Sequence, residues 1–189
     1  MVMVDRKIEG LNIDSVSINN ELGGYLATKK LIESGHTEIG IVCGIKGLSN
    51  TTERLSGYHR ALREAGIKIS QRFISYGNYV EEGGREAMKE LLSLDNPPTA
   101  VFSTNNLMTL GCIKEIYHRK LSIPEEIALI GFDDSTWAEA LLPPLTTIKQ
   151  PGYELGANAA ELLIKRLSNP ASSTMNIVLN PELVARESG

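Results

Sequence analysis

The sequence predicts an α/β fold built on a doubly wound parallel sheet, and three observations predict it. Short runs rich in Val and Ile alternate with amphipathic helical stretches, so that four strands, each followed by a loop, recur from Glu38 onward with helices between them. The runs are apolar at successive positions, as in strands buried on both faces. Gly, Pro or Asn separates the units. Strands joined through helices pair in parallel, because the crossover is right-handed, and the helices then cover both faces of the sheet.

The elements follow in order. NNELGGYLATKKLIESGH offers an Asn cap, an apolar face of Leu22, Leu26 and Ile32 beside Tyr25, and a closing Gly35. EIGIVCG is a buried strand, and the helix after it carries Leu55, Tyr58, Leu62 and Ala65 before Gly66 stops it. RFISY is the next strand. A helix from about Glu81 to Leu94 turns Ala87, Met88, Leu91 and Leu92 inward, and Asn96-Pro97-Pro98 ends that unit. TAVFS leads into a helix with Leu107, Leu110, Ile113 and Tyr117, and Pro124 precedes the strand IALIG. LTTIK, a helix from Tyr153 to Leu167, a polar NPASST loop and a last strand, NIVLNPELVAR, complete the chain. MVMVDRKIEG begins inside a strand-like run with no signal peptide before it, which is the expectation for a fragment.

Composition narrows the function. At 189 residues the chain builds one core or two small lobes. It is 42% hydrophobic and 22% charged, and it has no run of about 18 apolar residues to span a bilayer. Net charge is -4, with Lys and Arg scattered, so no basic stripe awaits a phosphate backbone. Cys43 and Cys112 lie in apolar runs without CxxC spacing, which reads as two reduced core thiols in the cytoplasm.

In parallel α/β folds the site lies at the carboxyl ends of the strands, which directs attention to four loops. GIKGLSNTTERLSG lacks the GxGxxG or GK[ST] of a phosphate cradle but carries Asn50 and Arg54. Arg54 is either a surface partner of Glu53 or a fork for vicinal oxygens. Tyr79 in GNYVEE is a half-buried aromatic or a platform for a ring. Of Asn105 and Asn106, one caps a helix and the other is free for a ligand. Asp133 and Asp134 in GFDD have no catalytic partner, since His36, His59 and His118 fall on helices or a helix end and no HExxH, DxDxDG or GxSxG occurs. Neither catalysis, a metal nor a cofactor is expected. A carboxylate, a guanidinium, amides and an aromatic ring suit a neutral polyhydroxylated ligand, and Asp134 reads as a helix or turn cap.

The stretches VMVDR, GGYLATKKLIESGHTEIGIVCG, ERLSGYHRALREAG, PTAVFSTNNLMTLG, IPEEIALIGFDD and PPLTTIKQP, in this order and spacing, resemble the effector-binding core of the lactose-repressor/galactose-repressor (LacI/GalR) family of transcription regulators, whose fold is that of type I periplasmic sugar-binding proteins. The resemblance implies two lobes joined by three crossing strands, with effector between them. It places ligand contacts at Asp5, Asn50, Arg54, Tyr79, Asn105 and Asp133, with Asn106 where members often carry Asp. It implies a complete carboxyl-terminal lobe at residues 18–145 and 176–189, and a remnant of the amino-terminal lobe at 1–17 and 146–175. The family's helix-turn-helix domain is expected to be missing, so operator DNA would be met only through that domain. Leu155, Leu162 and Leu163 would be exposed or re-paired, favouring a homodimer. The implied function is binding of a sugar or sugar-like effector in a cytoplasmic repressor. The alternative is a periplasmic transport receptor, against which the two cysteines stand.

Overall fold

A computed structural model describes residues 1–6 and 12–189. The expected remnant's residues 7–11 lie outside the described residues. Two sheets form. The larger has six strands in the order β4 (Ile74–Tyr76), β3 (Ile39–Cys43), β5 (Ala100–Ser103), β6 (Ala128–Phe132), β7 (Thr146–Lys149) and β9 (Glu182–Val184). All pairs are parallel except β7 with β9. The smaller sheet is parallel, in the order β1 (Val2–Val4), β2 (Asp14–Ile18) and β8 (Asn176–Leu179).

The larger sheet is covered on both faces, which is why β3, β5 and β6 are buried at every residue. One core gathers Ile39, Ile41, Phe102, Ile130 and Phe132 under α1 (Asn20–Glu33) and α2 (Ser49–Glu64). The other gathers Val42, Val101 and Leu129 with Met88 and Leu91 of α3 (Glu81–Leu92) and Met108, Cys112 and Ile116 of α4 (Asn106–His118). Cys43 and Cys112 are buried free thiols in different cores, and burial pushes each up to about 12, where a thiol is inert.

The structure rotates two helix faces away from the sequence expectation. On α1 the buried positions are Asn20, Gly23, Gly24, Ala27, Thr28 and Leu31, whereas Leu22, Leu26 and Ile32 are only half-buried. On α4, Met108, Cys112, Ile113 and Ile116 point inward, and Leu107 and Tyr117 are exposed. On α1 the physical cause is close helix packing: a Cβ on Gly24 would lie 2.1 Å from the Arg54 carbonyl oxygen, and one on Gly57 would lie 2.0 Å from that of Glu21. Only small residues fit where α1 meets α2.

The lobe boundaries also differ. β7 pairs with β6, so residues 146–149 belong to the larger sheet, and β8 pairs with β2, so 176–179 belong to the smaller. The chain therefore passes between sheets after Ile18, Lys149 and Leu179. Pro151 and Pro181 mark these two passages: each stands two residues after the last residue of a strand and lacks a ladder N–H, and Pro181 divides NIVLNPELVAR between β8 and β9. Helix α5 (Gly152–Ser168) lies on β1 and β2 and buries Leu162 but not Leu163. No helix among the described residues is long and apolar enough to cross a membrane.

Candidate functional site

The carboxyl ends of both sheets open onto one cleft of about 300 Å³, lined by Asp5, Arg6, Asn50, Arg54, Tyr79, Asn105, Asp133, Gln150, Gly152 and Leu155. The structure brings all six sequence-derived candidates to this cleft. Asp5 arrives from the end of β1, whereas Asn50 and Arg54 lie on the first turns of α2. Tyr79 follows β4, Asn105 follows β5, and Asp133 follows β6.

Arg54 is 3% exposed, so the surface reading of this residue is wrong. Its Nε donates to Asn20 Oδ1 (2.9 Å) and its Nη1 to the Thr104 carbonyl (2.5 Å), with the guanidinium over the Phe132 ring. Among the described residues Nη2 has no partner, and its protons remain for a ligand. Burial lowers the Arg54 pKa, and the nearby Asp133, Tyr79 and Asp5 oppose that effect. Glu53 bonds to Asn20 Nδ2 (2.9 Å) instead of pairing with Arg54.

The Tyr79 hydroxyl is tied to Thr51 Oγ1 (2.7 Å) and donates to Asn50 Oδ1 (3.0 Å). Both hydrogen bonds pin the phenol's edge while the residue lines the cleft. Burial raises its pKa, so the ring stays neutral. Asn105 is the cap of α4, accepting from the Met108 N–H (3.0 Å), and its Nδ2 donates to Asn106 Oδ1 (3.0 Å). The cap and the cleft-lining residue are thus one and the same, and Asn106 serves the helix start by accepting from the Leu107 N–H (2.8 Å).

The two neighbouring carboxylates divide their work. Asp133 faces the cleft, accepts from the Asn106 N–H (3.4 Å) and is bonded by Gln150 Nε2. Among the described residues Asp134 caps no helix. It holds Arg186 through Nη1 (2.8 Å) and Nη2 (3.2 Å) and accepts from Thr147 Oγ1 (2.7 Å), which corrects the reading of it as a cap.

Three residues of the cleft share an uncommon backbone conformation. Asp5 (φ 69°), Tyr79 (φ 61°) and Asp133 (φ 77°) all lie in the left-handed region. Each such residue costs roughly 1–3 kcal/mol, and strain of this kind concentrates where side chains are aimed at a ligand. Sequence reasoning missed Arg6, Gln150 and Leu155, and also Asn20 and Phe132 behind Arg54. For Gln150 a signal existed, a polar residue before Pro at the end of a buried strand.

Residues 28–189 match the family described as periplasmic binding protein-like domain. The chain is 40% identical over 188 residues to the ribose operon repressor of Haemophilus influenzae, covering 100% of this chain and 57% of that protein. It is 38% identical to the HTH-type transcriptional repressor PurR of Pasteurella multocida, covering 100% of this chain and 56% of the relative. Among solved structures, a transcriptional regulator CelR-cellobiose complex superposes with a TM-score of 0.94 at 35% identity, over 100% of this chain and 58% of that one. A LacI regulator from Bacillus cereus subsp. cytotoxis gives 0.93 at 28% identity, over 100% and 67%. The chain spans little more than half the length of the curated relatives it matches. These relatives are transcription regulators, not enzymes, and they do not favour the transport-receptor alternative.

Proposed function

We propose that this chain, which belongs to the periplasmic binding protein-like domain family, is the effector-binding part of a LacI-type transcriptional repressor and that its cleft binds a sugar or sugar-like effector that controls repression. The observation that carries this reading is the convergence of Asp133, Arg54, Asn50, Asn105 and Tyr79 on one cleft of about 300 Å³. A volume of this size suits a small ligand. In this reading Asp133 accepts from adjacent hydroxyls, the free Nη2 of Arg54 donates to a ring or hydroxyl oxygen, the amides complete the polar set, and the Tyr79 ring meets an apolar sugar face. Relatives named for ribose and found with cellobiose support a carbohydrate.

Asp5 and Arg6 follow a strand of the smaller sheet, whereas the other polar groups follow strands of the larger. An effector that bridges the sheets favours one angle between the two lobes, and that angle would regulate operator binding in the cytoplasm. DNA would be contacted by residues outside these 189, because the chain carries net charge -4. Exposed Tyr153, Ile164 and Leu167 on α5 offer an apolar surface through which two copies would pair.

The test is calorimetry with D-ribose, D-glucose, D-galactose and cellobiose on the chain and on Asp133→Ala. At least one sugar should bind, and the variant should lose about 30-fold or more, the worth of a charge-assisted hydrogen bond. Silence across the panel, or equal affinity in the variant, would reject the reading.

A further inference from the structure

The two charged groups assigned to the effector are each held by a carboxamide that stands where the chain passes between the sheets. Asn20 opens α1 just after β2 leaves the smaller sheet, and it is 2% exposed. Its Oδ1 accepts from Arg54 Nε (2.9 Å), and its Nδ2 donates to the carbonyl of Ile18, the last residue of β2 (3.2 Å). Gln150 follows β7 as the chain leaves the larger sheet for α5, and its Nε2 bonds Asp133. At the third passage, Asn180 Oδ1 accepts from Asn19 Nδ2 (3.2 Å), which joins it to the first.

We propose that Asn20 and Gln150 are positioning residues that transmit occupancy of the cleft to the passages between the sheets. The argument rests on the hydrogen bonds each amide can make. Asn20 is fully committed to Arg54, Ile18 and Glu53, so any shift of the guanidinium toward a ligand pulls directly on the end of β2. Gln150 is half committed: its Oε1 is buried and has no hydrogen-bond partner among the described residues. A buried amide oxygen without a donor is costly, so it gains from any rearrangement that supplies one. A ligand hydroxyl that bonds Asp133 competes with Gln150 Nε2 for the carboxylate, and a second ligand donor or a turn of the amide satisfies Oε1. Gln150 then moves relative to Pro151, and α5 begins at the next residue. The amide chemistry is suited to this task because Asn and Gln both donate and accept without carrying charge.

This inference rests on the effector reading above, and one experiment separates the two. Amide hydrogen exchange is followed by mass spectrometry on the chain, on Asn20→Ala and on Gln150→Ala, each free and saturated with the panel sugar that calorimetry shows to bind most tightly. In the parent, saturation should slow exchange at least about threefold in the peptides covering 18–22 and 150–155. In Gln150→Ala the response at 150–155 should be lost while that at 18–22 remains, and in Asn20→Ala the reverse. A merely structural role would weaken binding or raise exchange in the free state without uncoupling one passage from the other. Retention of both responses in both variants at saturation overturns the inference and leaves the effector reading intact. A panel in which no sugar binds the parent overturns both.

Discussion

The guanidinium carbon of Arg54 lies 3.6 Å from the centroid of the Phe132 ring. Phe132 is fully buried at the end of β6, one residue before Asp133, so a single strand end supplies the aromatic plate behind the cation and the carboxylate beside it. Stacking on a ring compensates a desolvated guanidinium by about 2 kcal/mol and fixes its plane. A lysine has neither the plane nor the Nε bond to Asn20. Arg54→Lys is therefore expected to weaken sugar binding by about 10- to 100-fold and to lower stability by about 1–2 kcal/mol, since Asn20 Oδ1 is left unpaired in the interior. Calorimetry with the panel sugar and urea unfolding check the two effects. Undiminished affinity would show that the fork geometry is not used.

Tyr79 packs against backbone. A Cβ added to Gly44 would sit 2.0 Å from Tyr79 Cζ and 2.3 Å from Cε1, so Gly44→Ala must displace the ring and strain its bonds to Thr51 and Asn50. Gly44 is buried and is not among the residues that line the cleft. The expected result is a loss of about 1–3 kcal/mol of stability, as for overpacking elsewhere, together with a fall in sugar affinity of at least about tenfold. An unchanged affinity measured at full folding would remove Tyr79 from the ligand's contacts.

What could be read from the sequence depended on how each signal is made. β3, β5 and β6 were legible because strands buried on both faces are apolar at every position. The loops behind them delivered Asn50, Arg54, Tyr79, Asn105 and Asp133 because strand ends in a parallel sheet point one way. The inward face of α1 was not legible, because the residues it buries are small or polar, Gly23, Gly24, Ala27 and Thr28, and a search for bulky apolar residues passes over them. Gln150 was missed for a related reason. Its position follows from Pro151 breaking the strand, and its partner Asp133 comes 17 residues earlier, a proximity created only by pairing β6 with β7. The role of Asp134 depends on Arg186, 52 residues away, and nothing local announces it.

That ion pair yields a contrast between neighbours. Arg186 also donates to the Leu145 carbonyl (2.7 Å), and two residues further on the Ser188 hydroxyl donates to the Leu129 carbonyl (2.6 Å), so the chain end is fastened across β6 and β7. Asp134→Asn should cost about 2 kcal/mol, the worth of hydrogen bonds to a charged partner, and should raise amide exchange over 182–189. Asp133→Asn should instead act on sugar affinity more than on stability. Urea midpoints and calorimetry on both variants decide this, and the assignment fails if the two effects are reversed.

The smaller sheet has its own fastening, and it is sensitive to acid. Arg166 on α5 grips Asp14 at the start of β2 through Nε (2.8 Å) and Nη2 (2.9 Å), and the Met175 N–H donates to the same carboxylate (2.8 Å). The Arg166 hydrogen bond, followed by that from Met175, lowers the Asp14 pKa from 3.8 to about 2. A carboxylate with a depressed pKa is protonated first in the unfolded chain, so acid favours unfolding. The pair's contribution is complete above about pH 4, falls between 3.8 and about 2, and is gone below the folded value. Asp14→Asn removes the proton linkage while keeping the shape. The parent's urea midpoint should therefore fall more steeply than the variant's between pH 4 and 2, and the two should run parallel above pH 5 with the variant lower. Parallel curves throughout would mean that this carboxylate does not couple α5 and the β8 end of the sheet to β2.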